Sequence, residues 1–443
     1  MKLRPLLYLP LFTILILGLT CCTPEQDTGI APSRQFVKYY GLNALDEGID
    51  IIYDDGDLIV LGERNTIGEA NNSIILYRMD SAGNELAKNV VGEAGFLYTA
   101  QKIVKDADGF VIGGTRTTTT EADIASFMFT LKVNDALEPV DSWGVGGFRT
   151  YGADDSLAYD RPVPNHRLFD LAVREDGFAM IGTTNDVETD KVNPNSVTDI
   201  SDVAFYLLDG GGAVTNSLIY GYVGRDEGHS IIPTGNDNFA VMGMTNRSAF
   251  GGDDTQLGGN NILFNILDGE GQVKQNKIYG STSSGGGVNV DDAPVVMVQD
   301  GLGFAGMAND GASNAIMIRL TSTGQLIALS NLDLDLAEQS SISTSLIRTF
   351  RGDYIITGSV NTRADTETSV DRGTDMLVMN VNQDFTINTN RVYNYGGEEN
   401  DVSNGIVQLP SSNLVILGTT DFENGNTMIT LMKTNATGRF IGN

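Results

Sequence analysis

The chain carries the short apolar segment Leu58-Ile59-Val60-Leu61-Gly62, and segments of the same kind return six more times. Each copy is an apolar run that ends at a glycine, and successive glycines lie 52 to 68 residues apart. The later copies end at Gly114, Gly182, Gly243, Gly306, Gly358 and Gly418. Units of this size in a fixed order indicate a solenoid, a propeller or another repeat array.

Each repeat unit predicts four β-strands around this segment. An apolar run such as Ile49–Tyr53 comes first, and Asp54-Asp55-Gly56-Asp57 supplies a tight turn into the glycine-ending segment. A third, alternating strand opens with Asn or Asp, as in Asn72–Met79, and a fourth ends in a Tyr-Gly step. The clearest such steps are Tyr151-Gly152, Tyr220-Gly221, Tyr279-Gly280 and Tyr395-Gly396. Because no segment keeps a helical period, the chain is predicted to be all-β.

The two ends of the chain complement each other. The last repeat runs out at Arg439-Phe440-Ile441, before it completes a fourth strand, and Phe36–Gly41 at the other end has the missing pattern. Pairing of these segments would close the array into a ring and remove its exposed edges. The sequence therefore predicts a seven-bladed β-propeller of four-stranded blades over residues 35–443, closed by an N-terminal clasp strand.

The repeats resemble those of the bacterial secreted β-propeller repeat family, which is distantly similar to kelch and WD-type repeats. The resemblance covers about residues 35–443. It implies the same closed ring of blades that the internal repeats predict on their own.

The first residues predict a lipoprotein signal peptide over residues 1–21. Lys2 and Arg4 precede the apolar run Leu6–Leu19, which is too short for a stop-transfer helix. Leu19-Thr20-Cys21-Cys22 resembles the lipobox of bacterial lipoproteins, which has an aliphatic residue three places before the modified cysteine. This resemblance implies lipidation of Cys22. The alternative is a plain secreted protein that is cut nearby.

Residues 22–34 are polar and marked by Pro and Gly, as expected of a flexible tether. The sequence therefore predicts a protein anchored to the outer membrane through its lipid alone, since no second hydrophobic span follows. Acidic residues just after Cys22 resemble the export tag of some Gram-negative surface lipoproteins. That resemblance implies a protein that faces the cell exterior.

The charge balance excludes one class of partner. The chain has 28 Lys+Arg against 57 Asp+Glu, a net charge of -29, whereas nucleic-acid binders carry basic patches. Two histidines are too few for most imidazole-rich metal sites, so we predict no cofactor. Acidic turns such as Asp106-Ala107-Asp108-Gly109 leave calcium open as an alternative. The equivalent turn Pro410-Ser411-Ser412 has no carboxylates, which favours turn chemistry over a metal site.

Long segments flank the third repeat at Gly152–Arg167 and Asn185–Ser201, and long loops on a rigid scaffold usually carry binding residues. Within the first segment, Tyr159–Arg167 is positive in an otherwise acidic protein, and Tyr and Arg are favoured at protein contacts. The alternative is a loop that only packs on its own blade. His229 lies where a predicted strand enters the central channel of the ring, and it is predicted to be a hydrogen-bonded core residue. The predicted binding residues are Tyr159, Asp160, Arg161, His166 and Arg167.

The sequence shows no assembled catalytic set, so no catalytic residue is assigned. The leading hypothesis is a non-enzymatic protein-interaction module that docks on an outer-membrane transport or secretion complex. The alternative is a protein that binds or processes glycans, because the many carboxylates leave open a pair facing each other across a sugar. A third interpretation is a structural surface-coat protein.

Overall fold

The computed structural model describes residues 35–41, 44–66, 71–119, 124–152, 165–185, 201–222, 224–235, 237–247, 257–280, 295–309, 315–332, 341–361, 373–422 and 425–441. Their regular structure is all β, apart from one turn of 3-10 helix at Val145–Gly147. The prediction of an all-β propeller is therefore confirmed. None of these residues belongs to a helix that is long and apolar enough to cross a membrane.

Five separate sheets of four antiparallel strands form blades of the propeller, and in each the strands pair in chain order. The first blade has β6 (Phe96–Asp106), β7 (Gly109–Thr118), β8 (Ser126–Asn134) and β9 (Phe148–Tyr151). The second has β10 (His166–Arg174), β11 (Gly177–Thr184), β12 (Asp202–Asp209) and β13 (Val214–Tyr220). The third has β14 (Asp226–Pro233), β15 (Phe239–Arg247), β16 (Leu257–Leu267) and β17 (Val273–Tyr279). The fourth has β18 (Val296–Asp300), β19 (Gly303–Asn309), β20 (Ala315–Thr321) and β21 (Leu326–Leu332). The fifth has β22 (Ser341–Arg348), β23 (Tyr354–Asn361), β24 (Thr374–Val381) and β25 (Ile387–Tyr395).

The prediction of seven separate four-stranded blades is wrong, because the first and last repeats share one eight-stranded sheet. The last repeat supplies β26 (Asp401–Gln408), β27 (Leu414–Asp421) and β28 (Thr427–Thr434), and the N-terminal β1 (Phe36–Tyr40) pairs antiparallel with β28. The first repeat supplies β2 (Leu45–Asp54), β3 (Asp57–Asn65), β4 (Asn72–Asp80) and β5 (Glu85–Val91). Leu45 pairs in parallel with Thr427 and joins the two halves. Only four residues separate β1 from β2, and both strands pair with β28.

The first strand of each repeat is its inner strand, and consecutive inner strands contact one another in a closed ring. Side chains cover the open edges of these strands, because unpaired backbone groups are costly to bury. Asp50 accepts a hydrogen bond from the Ile103 amide at 3.0 Å, and the Asn404 amide donates to the Gly48 carbonyl at 2.6 Å. The inner strands are β2, β6, β10, β14, β18, β22 and β26.

A β-bulge in most inner strands explains the recurring glycine. The pairing register shifts by one residue directly after Gly48, Leu168 and Gly228, among others. The bulge brings the inner strand close to the second strand, where a Cβ on Gly182 would clash with the carbonyl oxygen of Arg167. A Cβ would clash in the same way with an inner-strand carbonyl oxygen at Gly62, Gly114, Gly243, Gly358 or Gly418.

The Tyr-Gly step holds neighbouring repeats together. The hydroxyl of Tyr395 donates to the carbonyl of Gly438 at 2.7 Å, and that of Tyr40 donates to Gly83 at 2.6 Å. Tyr151 makes the same bond to Gly212, and Tyr279 makes it to Gly324. The acceptor glycines have φ of 69° to 81°, as the turns between third and fourth strands require. These four tyrosine latches tie β1, β9, β17 and β25 to the next repeat.

The apolar core lies between neighbouring sheets. In one cluster Ile59 and Leu61 of β3 pack against Phe110 and Phe129 of the next blade, all with no solvent exposure. Full burial of one such side chain contributes about 1.5–3 kcal/mol relative to leaving it in water. Repeated around the ring, these contacts fix each sheet against its neighbours.

Candidate functional site

The ring has two rims, and the site lies on the one where inner strands begin. We name this the loop rim, since it carries the connections between repeats and those between second and third strands. The opposite edge is the turn rim, where inner strands end in short turns such as Asp54–Asp57. On the loop rim, a cleft of about 550 Å³ opens between β25 and the last repeat.

The cleft combines aromatic rings with carboxylates. Tyr39 projects from the clasp strand with 51% of its surface exposed, and its ring meets the edge of Phe422 with 5.5 Å between centroids. Met376 and Met432 are buried and also line the cleft. The carboxylates that line the cleft are Glu398, Glu399, Asp401 and Asp421. None of the described residues that line it is basic.

Asp401 is the buried carboxylate of the cleft. It begins β26 with 4% of its surface exposed, and its Oδ2 accepts the amide of Gly397 at 2.8 Å. Burial raises the pKa of Asp401; hydrogen bonds from Thr420 and Gly397 lower it in part, and the charge of Asp421 raises it further. No arginine or lysine of the described cleft lining compensates this charge.

The first repeat has an aspartate at the same position with a different partner. Asp46 pairs in register with Arg64, as Asp401 pairs with Thr420 in the last repeat. Arg64 donates to both oxygens of Asp46, at 2.7 Å from Nε and 2.6 Å from Nη2. Asp46 is fully buried, so the bidentate pair compensates its charge from within the chain. The last repeat offers only the Thr420 hydroxyl there.

A third repeat has an aspartate at this position, and its surroundings explain why the cleft is open. Asp226 begins β14 and accepts the amide of Tyr222, just as Asp401 accepts that of Gly397. The Tyr222 side chain packs against the adjoining core. Gly397 has no side chain, and a Cβ added there would meet only Asp401 Oδ2, at 3.9 Å. Gly397 therefore leaves space open beside Asp401, at the position where the earlier repeat carries a tyrosine.

The predicted binding patch is described only in part, because Tyr159, Asp160 and Arg161 lie outside the described residues. His166 is 3% exposed and packs on Gly152, at the strand position that Asp401 holds in the last repeat.

The next residue of that patch is accessible to a ligand. Arg167 is exposed on the loop rim, with its guanidinium 5.1 Å from the centre of the Phe169 ring. The structure thus separates the two described patch residues, one buried and one exposed. The patch as a binding site stays a prediction.

The prediction that His229 is a hydrogen-bonded core residue is confirmed. Its Nδ1 accepts the Val295 amide at 3.0 Å, so Nε2 carries the proton and donates to Glu227 at 2.8 Å. Burial alone would raise the pKa of Glu227, but hydrogen bonds from His229 and Arg225, together with the charge of Arg225, outweigh it and lower the pKa. This cluster fixes the start of β14.

Charged residues also line the inner strands, where sequence reasoning did not place them. Lys102 Nζ lies 3.1 Å from Asp50 Oδ2 and also attracts Asp170 on the next inner strand. Burial raises the pKa of Asp170, although the Lys102 charge and two backbone amides oppose the shift. The bonds of Asp50 and Asp170 to backbone amides of neighbouring strands give them a structural role.

No group of three or more His, Cys, Asp or Glu side chains among the described residues is placed to hold a metal ion. The calcium alternative stays a prediction of the acidic turns.

Comparisons with known proteins concern the fold. No protein-family profile matches the chain, and no curated protein sequence matches it. The β-propeller domain of the Trilobed protease from Pyrococcus furiosus is 9% identical over 90% of this chain and 96% of that chain, with a TM-score of 0.43. The GH93 α-L-arabinofuranosidase of Fusarium graminearum is 9% identical over 90% and 94%, with a TM-score of 0.46. A protein of unknown function from Bacteroides caccae is 11% identical over 74% and 92%, with a TM-score of 0.39.

Proposed function

We propose that this protein is a non-enzymatic docking module, anchored to the outer membrane by a lipid on Cys22 and a tether over residues 22–34. It binds another envelope protein, such as an outer-membrane transport or secretion complex. The observation that carries the proposal is the cleft on the loop rim, where the exposed ring of Tyr39 and the half-buried ring of Phe422 lie beside carboxylates that no basic residue of the described lining compensates. Tyr is one of the residue types that are enriched at the hot spots of protein contacts.

Rigidity of the ring supports a docking role. The tyrosine latches and the hydrogen-bonded inner strands hold the cleft walls in place before a partner arrives. A preformed site loses less conformational entropy on binding than a mobile one. The exposed Arg167 and the predicted residues Tyr159, Asp160 and Arg161 belong to the same proposal as a second contact on the loop rim.

The test is affinity isolation of the tagged, lipidated protein from gently solubilised envelope, followed by mass spectrometry. We expect one membrane protein in stoichiometric amount. A Cys22→Ala variant, which cannot be lipidated, is the control for membrane attachment. Recovery of the bait without a stoichiometric partner contradicts the docking role.

Replacement of Tyr159, Arg161 and Arg167 by Ala tests the second contact in the same isolation. We expect partner recovery to fall at least about tenfold, with thermal unfolding unchanged. Full recovery of the partner would remove the third repeat from the interface.

Glycan binding or processing is the second candidate function, favoured by the pairing of Tyr39 and Phe422 rings with Asp401 and Asp421 in one cleft. Carboxylates and aromatic platforms are what a sugar site needs. A glycan array and a hydrolysis screen with the purified protein test it. Binding that is lost in Asp421→Asn would support the glycan function over docking.

A further inference from the structure

The same repeat position is compensated in one place and open in another, and this difference indicates what the cleft binds. Asp46 receives a guanidinium from Arg64, while Asp401 has Thr420 in the place of that arginine. The space beside Asp401 is also open, since Gly397 stands where Tyr222 stands in another repeat. The cleft therefore lacks the cation that Arg64 supplies beside Asp46 and the bulk that Tyr222 supplies near Asp226.

We propose that the cleft binds a cationic, extended segment of the partner protein, whose arginine takes the place beside Asp401 that Arg64 takes beside Asp46. This inference rests on the proposed docking function and names the chemistry of the partner. Asp421 is the second carboxylate for the bound guanidinium, because it lines the same cleft as Asp401. The shape of guanidinium suits two carboxylate oxygens at once.

The rings of the cleft suit the rest of such a side chain. Tyr39 and Phe422 present faces and edges beside the carboxylates, where the carbon stem of an arginine packs and its cation lies over a ring. The same packing occurs elsewhere in this chain, where the Arg319 guanidinium lies 4.5 Å from the centre of the Phe385 ring.

Charge at the mouth of the cleft extends the site. Glu398 and Glu399 are exposed there, and their carboxylates can pair with a second basic residue of the segment. The net charge of -29 attracts a cationic partner from a distance at low ionic strength. A neutral glycan would gain nothing from this field.

The experiment measures peptide binding by the full lipidated chain in non-ionic detergent. The probe is a fluorescein-labelled hexapeptide of alternating arginine and glycine, and its control replaces every arginine by citrulline, which keeps the shape without the charge. Fluorescence anisotropy follows binding at low salt and at about 0.15 M salt. We expect the arginine peptide to bind at least about tenfold more tightly than the citrulline peptide.

Two variants close the cleft with residues that the chain itself uses at the equivalent positions. Thr420→Arg supplies the internal cation of Arg64, and Gly397→Tyr supplies the bulk of Tyr222. We expect each to weaken binding of the arginine peptide at least about tenfold. Glu175→Gln is the matched control, because Glu175 is exposed on the turn rim and its loss changes the net charge as Thr420→Arg does. It should alter affinity less than about twofold.

Binding of the arginine peptide that survives both closing variants overturns the inference, as does equal binding of the citrulline peptide. If a closing variant no longer unfolds cooperatively, Asp401→Asn takes its place as the test. This substitution removes the charge, but its amide oxygen still accepts the Gly397 amide. Peptide binding that survives Asp401→Asn then overturns the inference. Partner capture from the envelope that survives Thr420→Arg overturns the cleft assignment and leaves the docking function standing. Peptide binding in the cleft without any captured partner supports the cleft chemistry and contradicts the docking function.

Discussion

Two interfaces of the ring use the same backbone plan with different side chains. Where the first repeat meets the clasp, Gly41 packs on Asp46, and Arg64 compensates that carboxylate. Where the last repeat meets β25, Gly396 packs on Asp401 in the same way, but Thr420 replaces the arginine and a cleft opens. The repeat therefore fixes backbone contacts, and a few side chains decide whether an interface is closed or available to a ligand.

The largest difference between the two interfaces is expected from loss of the arginine. Arg64→Ala leaves Asp46 buried without a counter-charge, and this should lower the free energy of unfolding by about 3–5 kcal/mol. Thr420→Ala, its counterpart, should cost only about 1.5–2 kcal/mol, since it removes one hydroxyl that bonds Asp401 and Thr430 and leaves no unpaired cation or lost ion pair. Urea unfolding of both variants measures the difference. Equal losses of unfolding free energy would contradict the prediction that Arg64 compensates Asp46 in a way that Thr420 does not compensate Asp401.

A pH effect is expected from the neighbouring residue of the first repeat. Burial, together with the Glu47 charge, raises the pKa of Glu63 to about 7, against hydrogen bonds from Ala100 and Asn72. The folded chain then holds a proton that the unfolded chain loses above about pH 4.5. The free energy of unfolding should therefore fall as pH rises from about 4.5 to about 7, by roughly 3 kcal/mol.

Urea unfolding at pH 5 and pH 7.5 checks this prediction, with Glu63→Gln as the test variant. The free energy of unfolding of this variant should not fall in this way between pH 5 and pH 7.5. Thr419 holds the same place in the last repeat and accepts the Gly48 amide at 3.1 Å, as Glu63 accepts the Ala100 amide at 2.6 Å. Thr419→Val has no titrating group at that place and should leave the pH dependence unchanged.

Adjacent glycines of the cleft should differ in their tolerance of a methyl group. A Cβ on Gly396 would overlap a carboxylate oxygen of Asp375 and lie 2.8 Å from Asp401, while Gly397 has open space. Gly396→Ala should therefore cost about 1–3 kcal/mol of unfolding free energy, and Gly397→Ala should change it by less than about 0.5 kcal/mol. Thermal unfolding of the pair measures the difference. A costly Gly397→Ala would show that the cleft is filled.

The smallest difference concerns the latches. Tyr395 donates to Gly438 and accepts the Phe440 amide at 2.8 Å, whereas Tyr40 donates to Gly83 alone. Tyr395→Phe should lower the free energy of unfolding by about 1–2 kcal/mol, and Tyr40→Phe by about half as much. Urea unfolding of the two variants is the measurement. A larger cost for Tyr40→Phe would assign the greater stabilisation to the clasp.

The sequence predicted the all-β propeller because its markers follow local rules. The glycine-ending segments, the Asp/Gly turns and the Tyr-Gly steps recur in order, and each has a backbone reason in the structure. The glycine faces a bulge, and the tyrosine reaches the next repeat. The blade count failed because the bridge between Leu45 and Thr427 joins opposite ends of the chain. No local pattern reports such a contact.

The cleft was missed for a similar reason. Tyr39 comes from one end of the chain and Asp401 and Asp421 from the other, and only the clasp brings them together. Loop length and local positive charge predicted a binding site at the third repeat instead. A signal was nevertheless present, because alignment of the repeats puts Gly397 opposite Tyr222. In that alignment a large side chain of one repeat lies opposite a position that has no side chain in the other.

The direction of β1 determines how the ring would be suspended. Phe36 lies opposite Lys433 and Tyr40 opposite Ile429, so the chain enters at the turn rim and runs toward the loop rim. A lipid on Cys22 would therefore attach the ring by its turn rim, with residues 22–34 reaching at most about 45 Å. The cleft would then open away from the bilayer surface, toward proteins that stand above the lipid rather than toward the lipid itself.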